Sequence, residues 1–266
     1  MMPGRSSILR AAGFGLVASA LAGPLCPSAW AEPLRHPVLF TGQWLPGMLD
    51  YEYFRALSPA GLADDGSGLL FGSIEDGVGG SARTAAVLRF APGGDSPRIL
   101  VRQSFSVTGN PDEVVWATRY NGDQVAVSSP GPAVLPMLVS RPFTPGTYQN
   151  TPNFPAMFSE TPAGLVKVAR TGEPAAGVAG ALWRLTSNTG SPQSNVTIDR
   201  TGRLCFLSVL TGAGITSAND TGIWAGPPGG LSLVVREGSI VPGVASDTMR
   251  TLVGLPLMND DGVLVL

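Results

Sequence analysis

Three arginines recur at one position of an internal repeat, and their spacing is the feature of this sequence best suited to ligand chemistry. Arg102, Arg170 and Arg236 each stand two residues before a slot held by Ser104, Gly172 and Gly238, while Phe40 holds the same place before Gly42. Guanidiniums at equivalent points of successive units, if they faced a common channel, would form a partial basic ring for an acidic glycan or a phosphate. The plainer alternative pairs each arginine with a turn carboxylate such as Glu237 or Asp260, an interaction worth about 0–1 kcal/mol at a surface. The structural alternative is preferred, and the three arginines stand as the ligand candidates.

Other chemistry-bearing residues point the same way. Asp64-Asp65-Gly66 and Asn259-Asp260-Asp261-Gly262 gather oxygen ligands that calcium could use, but neither has the spacing of a twelve-residue calcium loop. Asx turns closed by glycine explain both. Phe90, Phe158 and Trp224 could stack on sugars, yet they lie among apolar residues at one point of each unit, so core positions between sheets are expected. Trp44, Trp116 and Trp183 fall in connections and are the better candidates for an exposed binding face. The only histidine is His36, which leaves no histidine-rich zinc site and no base for a Ser-His-Asp triad in a folded core. Cys205, in Arg203-Leu204-Cys205-Phe206, reads as a buried, inert thiol. Glu52, Glu75, Glu113, Glu160 and Glu173 are too scattered in sequence to suggest a carboxylate pair. No catalytic, cofactor-binding or metal-binding residue is therefore nominated.

The elements that must position these residues repeat. Trp224 stands 14 residues before Gly238, Phe158 14 before Gly172, and Phe90 14 before Ser104. A second glycine follows each slot after five residues: Gly47, Gly109, Gly177 and Gly243. The slots at 42, 104, 172 and 238 are separated by 62, 68 and 66 residues. Steady self-similarity marks a repeat architecture, because each unit leaves an apolar face for its neighbour to cover.

Along the chain, Pro37 to Gly42 reads as a closing strand, and residues 48–62 as a connection of mixed character. Asp64-Asp65-Gly66 is a turn before a short strand at Leu69-Leu70-Phe71, and Gly77 to Ser81 is a flexible loop. Ala86 to Phe90, a Pro92-Gly93-Gly94 turn and Ile99 to Arg102 end the first full unit. The second opens with a turn at Asn121-Gly122-Asp123 and a strand at Gln124 to Val127. Seven prolines between Pro130 and Pro155 predict loop or edge structure there, with one short strand at Met137-Leu138-Val139. Ala156 to Phe158 and Leu165 to Arg170 close it. The third runs from Asp199-Arg200-Thr201-Gly202 through Leu204 to Leu210 and ends in Gly222 to Gly243. A fourth begins at Asn259 and stops at Val263 to Leu266, an apolar run. A truncated product is preferred there over ring closure with Pro37 to Thr41.

With 35 glycines and 24 prolines, no helix interior is expected beyond the N-terminus. The fold class is all-β, with β-propeller-like tandem repeats of about 62–68 residues. A β-solenoid or a pair of sandwiches is the alternative, disfavoured by the short antiparallel turns at Pro227 to Gly230 and Ala163-Gly164. Residues 1–31 read as an export signal, with Arg5 and Arg10, an uncharged stretch from Ala11 and a small-x-small site at Ala29-Trp30-Ala31. Residues 32–266 form the repeat domain. Cleavage would leave 15 basic against 19 acidic residues, a mildly acidic balance that argues against nucleic acid. Cys205 would then stand alone, without an intrachain disulfide. No transmembrane anchor is expected in the mature chain.

Gly222-Ile223-Trp224, Leu233 to Gly238, Pro242-Gly243 and Asn259 to Gly262 resemble a bacterial family of exported tandem-repeat proteins. Its unit reads roughly GIW, LVAREGxxxPG, then NxxGxVAF. Departures are Ser104 for glycine, Ala63 and Asp199 at the asparagine position, and Leu266 for phenylalanine. The resemblance implies export and repeats and carries over no catalytic residue. The expected function is a non-enzymatic surface or extracellular binding or scaffolding module, with a cell-surface glycan or a protein as partner. A carbohydrate-active hydrolase or lyase with paired carboxylates is the alternative.

Overall fold

The structure is a computed structural model. It describes residues 45, 48–49, 52–76, 83–92, 97–103, 105–107, 110–117, 125–128, 131–140, 154–185, 196–240, 247–252, 256–259, 261–262 and 264–265. The expected signal at residues 1–31 lies outside them. So do the strand at Pro37 to Thr41, Trp44, the loop at Gly77 to Ser81, the turn at Asn121 to Asp123, and the slot residues Gly42, Ser104, Gly109 and Gly243.

The chain is all-β, with antiparallel sheets that follow one another in sequence. Sheet 1 has the order β1(Glu52–Leu62), β2(Gly68–Asp76), β3(Arg83–Phe90), β4(Arg98–Arg102). Sheet 2 contains β5(Ser106–Val107), β6(Asn110–Ala117), β7(Ala126–Val127), β8(Ala133–Ser140), β9(Phe154–Thr161) and β10(Gly164–Arg170). Its order is β10-β9-β8-β6-β5, with β7 also on β8. Sheet 3 contains β11(Ala181–Arg184), β12(Val196–Ile198), β13(Leu204–Gly212), β14(Thr221–Gly226) and β15(Ser232–Arg236), ordered β11-β13-β14-β15 with β12 also on β13. A hairpin of β16(Leu257–Met258) and β17(Leu264–Val265) follows.

The three sheets share one register. Arg102 faces Ala86, Arg170 faces Ala156, and Arg236 faces Gly222. After each arginine the chain turns in the same way, with Phe105, Glu173 and Ser239 donating their N–H to the carbonyls of Arg102, Arg170 and Arg236. The bridges Ser106↔Val114, Pro174↔Leu182 and Ile240↔Thr248 then recur at matching positions. Glycine suits the slot because Gly172 and Gly238 have φ of 86° and 78°, a region costly for residues with a Cβ.

One expected equivalence needs correction. By register Leu88 faces Ile99, Phe158 faces Lys167, and Trp224 faces Leu233. Leu88, not Phe90, therefore matches Phe158 and Trp224, and all three are fully buried. Counting back from the slot failed because the β3–β4 loop is two residues longer than its counterparts. Arg89 and Arg98 close that loop, where Ser159 and Val166 close the second and Ala225 and Ser232 the third. Phe90 instead lies opposite Gly68, which has no Cβ to obstruct the ring.

Two further expectations are corrected. The connection expected at 48–62 contains β1, an eleven-residue strand whose regular alternation is broken by register shifts at Phe54/Ala56 and Pro59/Gly61. The proline-rich stretch contains β8, paired on both sides rather than at an edge. Pro136 is tolerated in it because β7 pairs only with Ala133 and Val134, and β6 only from Leu138 onward. Proline thus occupies a gap where that side of the ladder has no partner to lose. Between β7 and β8, Ser128 donates its N–H to the Pro132 carbonyl.

Apolar clusters lie between successive sheets. Leu69, Val87 and Val101 of sheet 1 pack with Val115, Leu135 and Phe158 of sheet 2. Val134, Met157 and Ala169 of sheet 2 pack with Trp183, Phe206 and Trp224 of sheet 3. Full burial of an aromatic such as Phe158 contributes about 1.5–3 kcal/mol, so each sheet depends on its neighbour. Cys205, Leu207, Ile223 and Val235 form the next cluster, with Met249, Leu252 and Met258 against it. Contacts also run from β1 to β7, β7 to β12 and β12 to β16.

Candidate functional site

The three ligand-candidate arginines are not brought together. Each lies on the last strand of a different sheet, and each has partners within the chain. Arg102 holds Glu52 through both terminal nitrogens, one at 2.9 Å from Oε2, and lies over the Phe105 ring at 4.7 Å. Arg170 pairs with Glu173 at 3.2 Å, and Lys167 reaches the same carboxylate at 2.7 Å. Arg236 donates from Nε to the Asn219 carbonyl at 2.6 Å. Glu237, an expected partner, instead accepts the Leu252 N–H at 2.9 Å, and Asp260 lies outside the described residues. The Arg102 pair holds the Glu52 carboxyl below its ordinary value, because the guanidinium hydrogen bonds outweigh the cost of burial.

The acidic turns do turn work. Gly66, Gly202 and Gly262 donate N–H to the carbonyls of Ala63, Asp199 and Asn259, closing the same four-residue turn in the first, third and fourth units. Asp65 accepts the Ser67 N–H at 2.9 Å, and Asn259 accepts that of Asp261 at 3.1 Å. Among the described residues, no three His, Cys, Asp or Glu side chains gather around a common point that could hold a metal ion. The Asp199 carboxylate is fully buried and accepts from Thr201 N, Thr201 Oγ1, Arg203 N and Arg203 Nε at 2.7–3.0 Å.

Burial pushes the Asp199 pKa up, but those donors outweigh it and hold the group below its ordinary 3.8. A depressed folded pKa stabilises the fold above the unfolded value, and the contribution is lost as pH falls through the folded one. Asp199→Asn should therefore be less stable than the parent at about pH 7, with the gap closing as pH falls below about 3.8. Urea midpoints across that range check this, and a gap independent of pH would contradict it.

Aromatic placement overturns one expectation. Trp183, predicted for an exposed face, is buried in β11, edge-on to Trp224 at 4.5 Å and tilted against Phe206 at 5.6 Å. Trp116 lies in β6. Cys205 is buried as expected, and burial pushes its thiol up to about 12, which keeps it protonated and unreactive.

A pocket framed by charged residues does form where the turn ends of sheets 1 and 2 meet. It has a volume of about 460 Å³ and brings together Asp65, Ser67, Arg89, Arg98, Gly131 and Glu160, with Ala91 and Pro92 as its apolar wall. Arg89 reaches from the end of β3 across to both turns. Its Nη2 donates to Gly131 O at 2.6 Å and to Ser67 Oγ at 3.2 Å. Glu160 sits near the end of β9 with its side chain 9% exposed, held by Arg98 Nη2 at 2.6 Å and facing Arg89 Nε at 3.8 Å. Arg98, 61% exposed, forms the rim. Hydrogen bonds from Ser67 hold the Asp65 carboxyl below its ordinary value.

Nothing in the local sequence distinguishes Arg89 and Arg98, and Glu160 is one of several scattered glutamates. The signal that could have found them is their departure from the repeat. Ser159 and Ala225 stand where the first sheet has Arg89, Val166 and Ser232 where it has Arg98, and Gly226 where the second has Glu160. Seeing that requires the register, which the longer β3–β4 loop conceals. A search of curated proteins and of solved structures finds no match. A family model does match, over residues 42–266, and it covers all three sheets and the pocket. The chain belongs to the family of unknown function DUF7453.

Proposed function

We propose that this chain is an exported, non-enzymatic repeat protein whose sheets are propeller-like blades, and that it serves as a surface or extracellular binding or scaffolding module. The observation that carries this reading is the repeated register: the same arginine, turn and bridge recur in three sheets that bury one another's faces. Contacts from β1 to β7 to β12 to β16 support blades arranged side by side around inner strands. In this chain the unit follows the GIW, LVAREGxxxPG and NxxGxVAF pattern. Its glycines fit the positive-φ slots at Gly172, Gly238 and Gly262.

Binding is favoured over hydrolysis for a specific reason. Asp65 and Glu160 are the acids that line the pocket; Asp65 is held in its turn, and both oxygens of Glu160 face guanidiniums, Oε1 at 2.6 Å from Arg98 and Oε2 at 3.8 Å from Arg89. A glycoside hydrolase needs one carboxyl free to carry a proton and another free to attack or activate water.

Export is tested by expressing the full chain with a C-terminal tag in a bacterial host and sequencing the N-terminus of the recovered protein. Recovery outside the cytoplasm with Glu32 as first residue is expected. Cytoplasmic protein that keeps residues 1–31 would contradict export.

A further inference from the structure

We propose that the pocket between sheets 1 and 2 binds a neutral carbohydrate through a pair of adjacent hydroxyls. The inference rests on reading the chain as a binding module and is independent of whether the chain is exported. Its basis is a donor and an acceptor left unused side by side. Arg89 Nη1 and Glu160 Oε2 are both buried and without a hydrogen-bond partner, and Oε2 lies 3.8 Å from Nε of the same guanidinium. Buried polar groups are ordinarily satisfied, so an unpartnered donor and acceptor just beneath the surface of two residues that line a pocket mark a place where a ligand's own donor and acceptor could be met once the side chains shift slightly. A vicinal diol supplies both: one hydroxyl donates to Oε2, and the neighbouring oxygen accepts from Nη1.

The charge of the site selects among ligand classes. Arg89 and Arg98 are balanced by Glu160 and by Asp65, whose carboxyl is held ionised by its Ser67 hydrogen bonds. A phosphate or acidic sugar would meet the two carboxylates, and a cation the two guanidiniums, so a neutral polar molecule fits best. Ala91 and Pro92 offer the less polar face of a sugar ring something to lie against, and about 460 Å³ accommodates a ring of that size.

The constellation is not a demand of the repeat. The corresponding positions at the next junction are Ser159, Val166 and Gly226, and that junction packs without the charged cluster. Arg98 also spends exposed side-chain length to hold Glu160 in place, which orients Oε1 and leaves Oε2 toward Arg89.

The test is nuclear magnetic resonance titration of the purified full chain, reading the Arg89 Nε–Hε resonance. Probes are glucose, galactose, mannose and cis-1,2-cyclohexanediol, against cyclohexanol and inorganic phosphate. At least one sugar and the diol should shift the Arg89 signal with dissociation constants on the order of millimolar. Cyclohexanol, with a single hydroxyl, should bind about tenfold more weakly, because one of the two buried partners stays unsatisfied. Arg89→Met should remove the diol response in a chain that keeps its amide spectrum. Should that variant fail to fold, the diol-to-cyclohexanol ratio in the parent chain still decides the matter. Equal responses to the two alcohols, a stronger response to phosphate, or no response to any sugar would overturn the proposal.

Discussion

Replacing Trp224 with alanine is expected to destabilise the fold by about 3–5 kcal/mol, the range for deleting a large buried aromatic. The indole is fully buried and joins two sheets. It meets Trp183 edge-on at 4.5 Å and Phe206 in a stacked arrangement at 6.2 Å. Its Nε1 donates to the Ala176 carbonyl at 2.8 Å, which fastens the turn between β10 and β11 onto the core. Gly222 leaves room for the far edge of the ring, since a Cβ there would come within 2.7 Å of it. Trp224→Phe keeps most of the apolar contact and loses the hydrogen bond, so about 1–2 kcal/mol is expected. Urea unfolding with an unchanged slope measures both. A loss below about 1 kcal/mol for the alanine variant would mean that sheets 2 and 3 do not meet at this residue.

The second large effect is expected at Glu52. Its side chain is 6% exposed and that of Arg102 11%, and their paired hydrogen bonds connect the first and last strands of sheet 1. The Leu49 N–H adds a donor at 2.8 Å, which ties the segment entering the sheet to the same carboxylate. Glu52→Ala removes one member and leaves the Arg102 charge buried, a change that costs about 3–5 kcal/mol. Replacing both, as Glu52→Leu with Arg102→Met, removes the stranded charge and should recover most of that loss. The double-mutant cycle is the decisive readout. A double variant as unstable as the sum of the two singles would show that the pair does not act as a unit.

Much of the repeat was readable because it rests on backbone chemistry that only certain residues satisfy. Gly172 and Gly238 stand where φ is positive, and the arginines two residues earlier lie at one register position. The turns ending in Gly66, Gly202 and Gly262 were legible for the same reason. What could not be read depends on neighbours distant in sequence. β1 escaped because two register shifts break its alternation, and β8 because Pro136 sits in a gap that only the pairing of β6 and β7 creates. Trp183 looked like a connection residue because its burial comes from Trp224 and Phe206, which lie in later strands. The pocket was the least visible feature. It assembles Asp65, Arg89, Gly131 and Glu160 from four separate turns and strand ends, so no local spacing announces it.

The account depends on three sheets built to one register, with Leu88, Phe158 and Trp224 in the same position. Cross-strand nuclear Overhauser contacts measure this directly. The expected pattern pairs Arg102 with Ala86, Arg170 with Ala156 and Arg236 with Gly222. A pattern that set Arg102 opposite Leu88, restoring Phe90 to the place of Phe158, would contradict it.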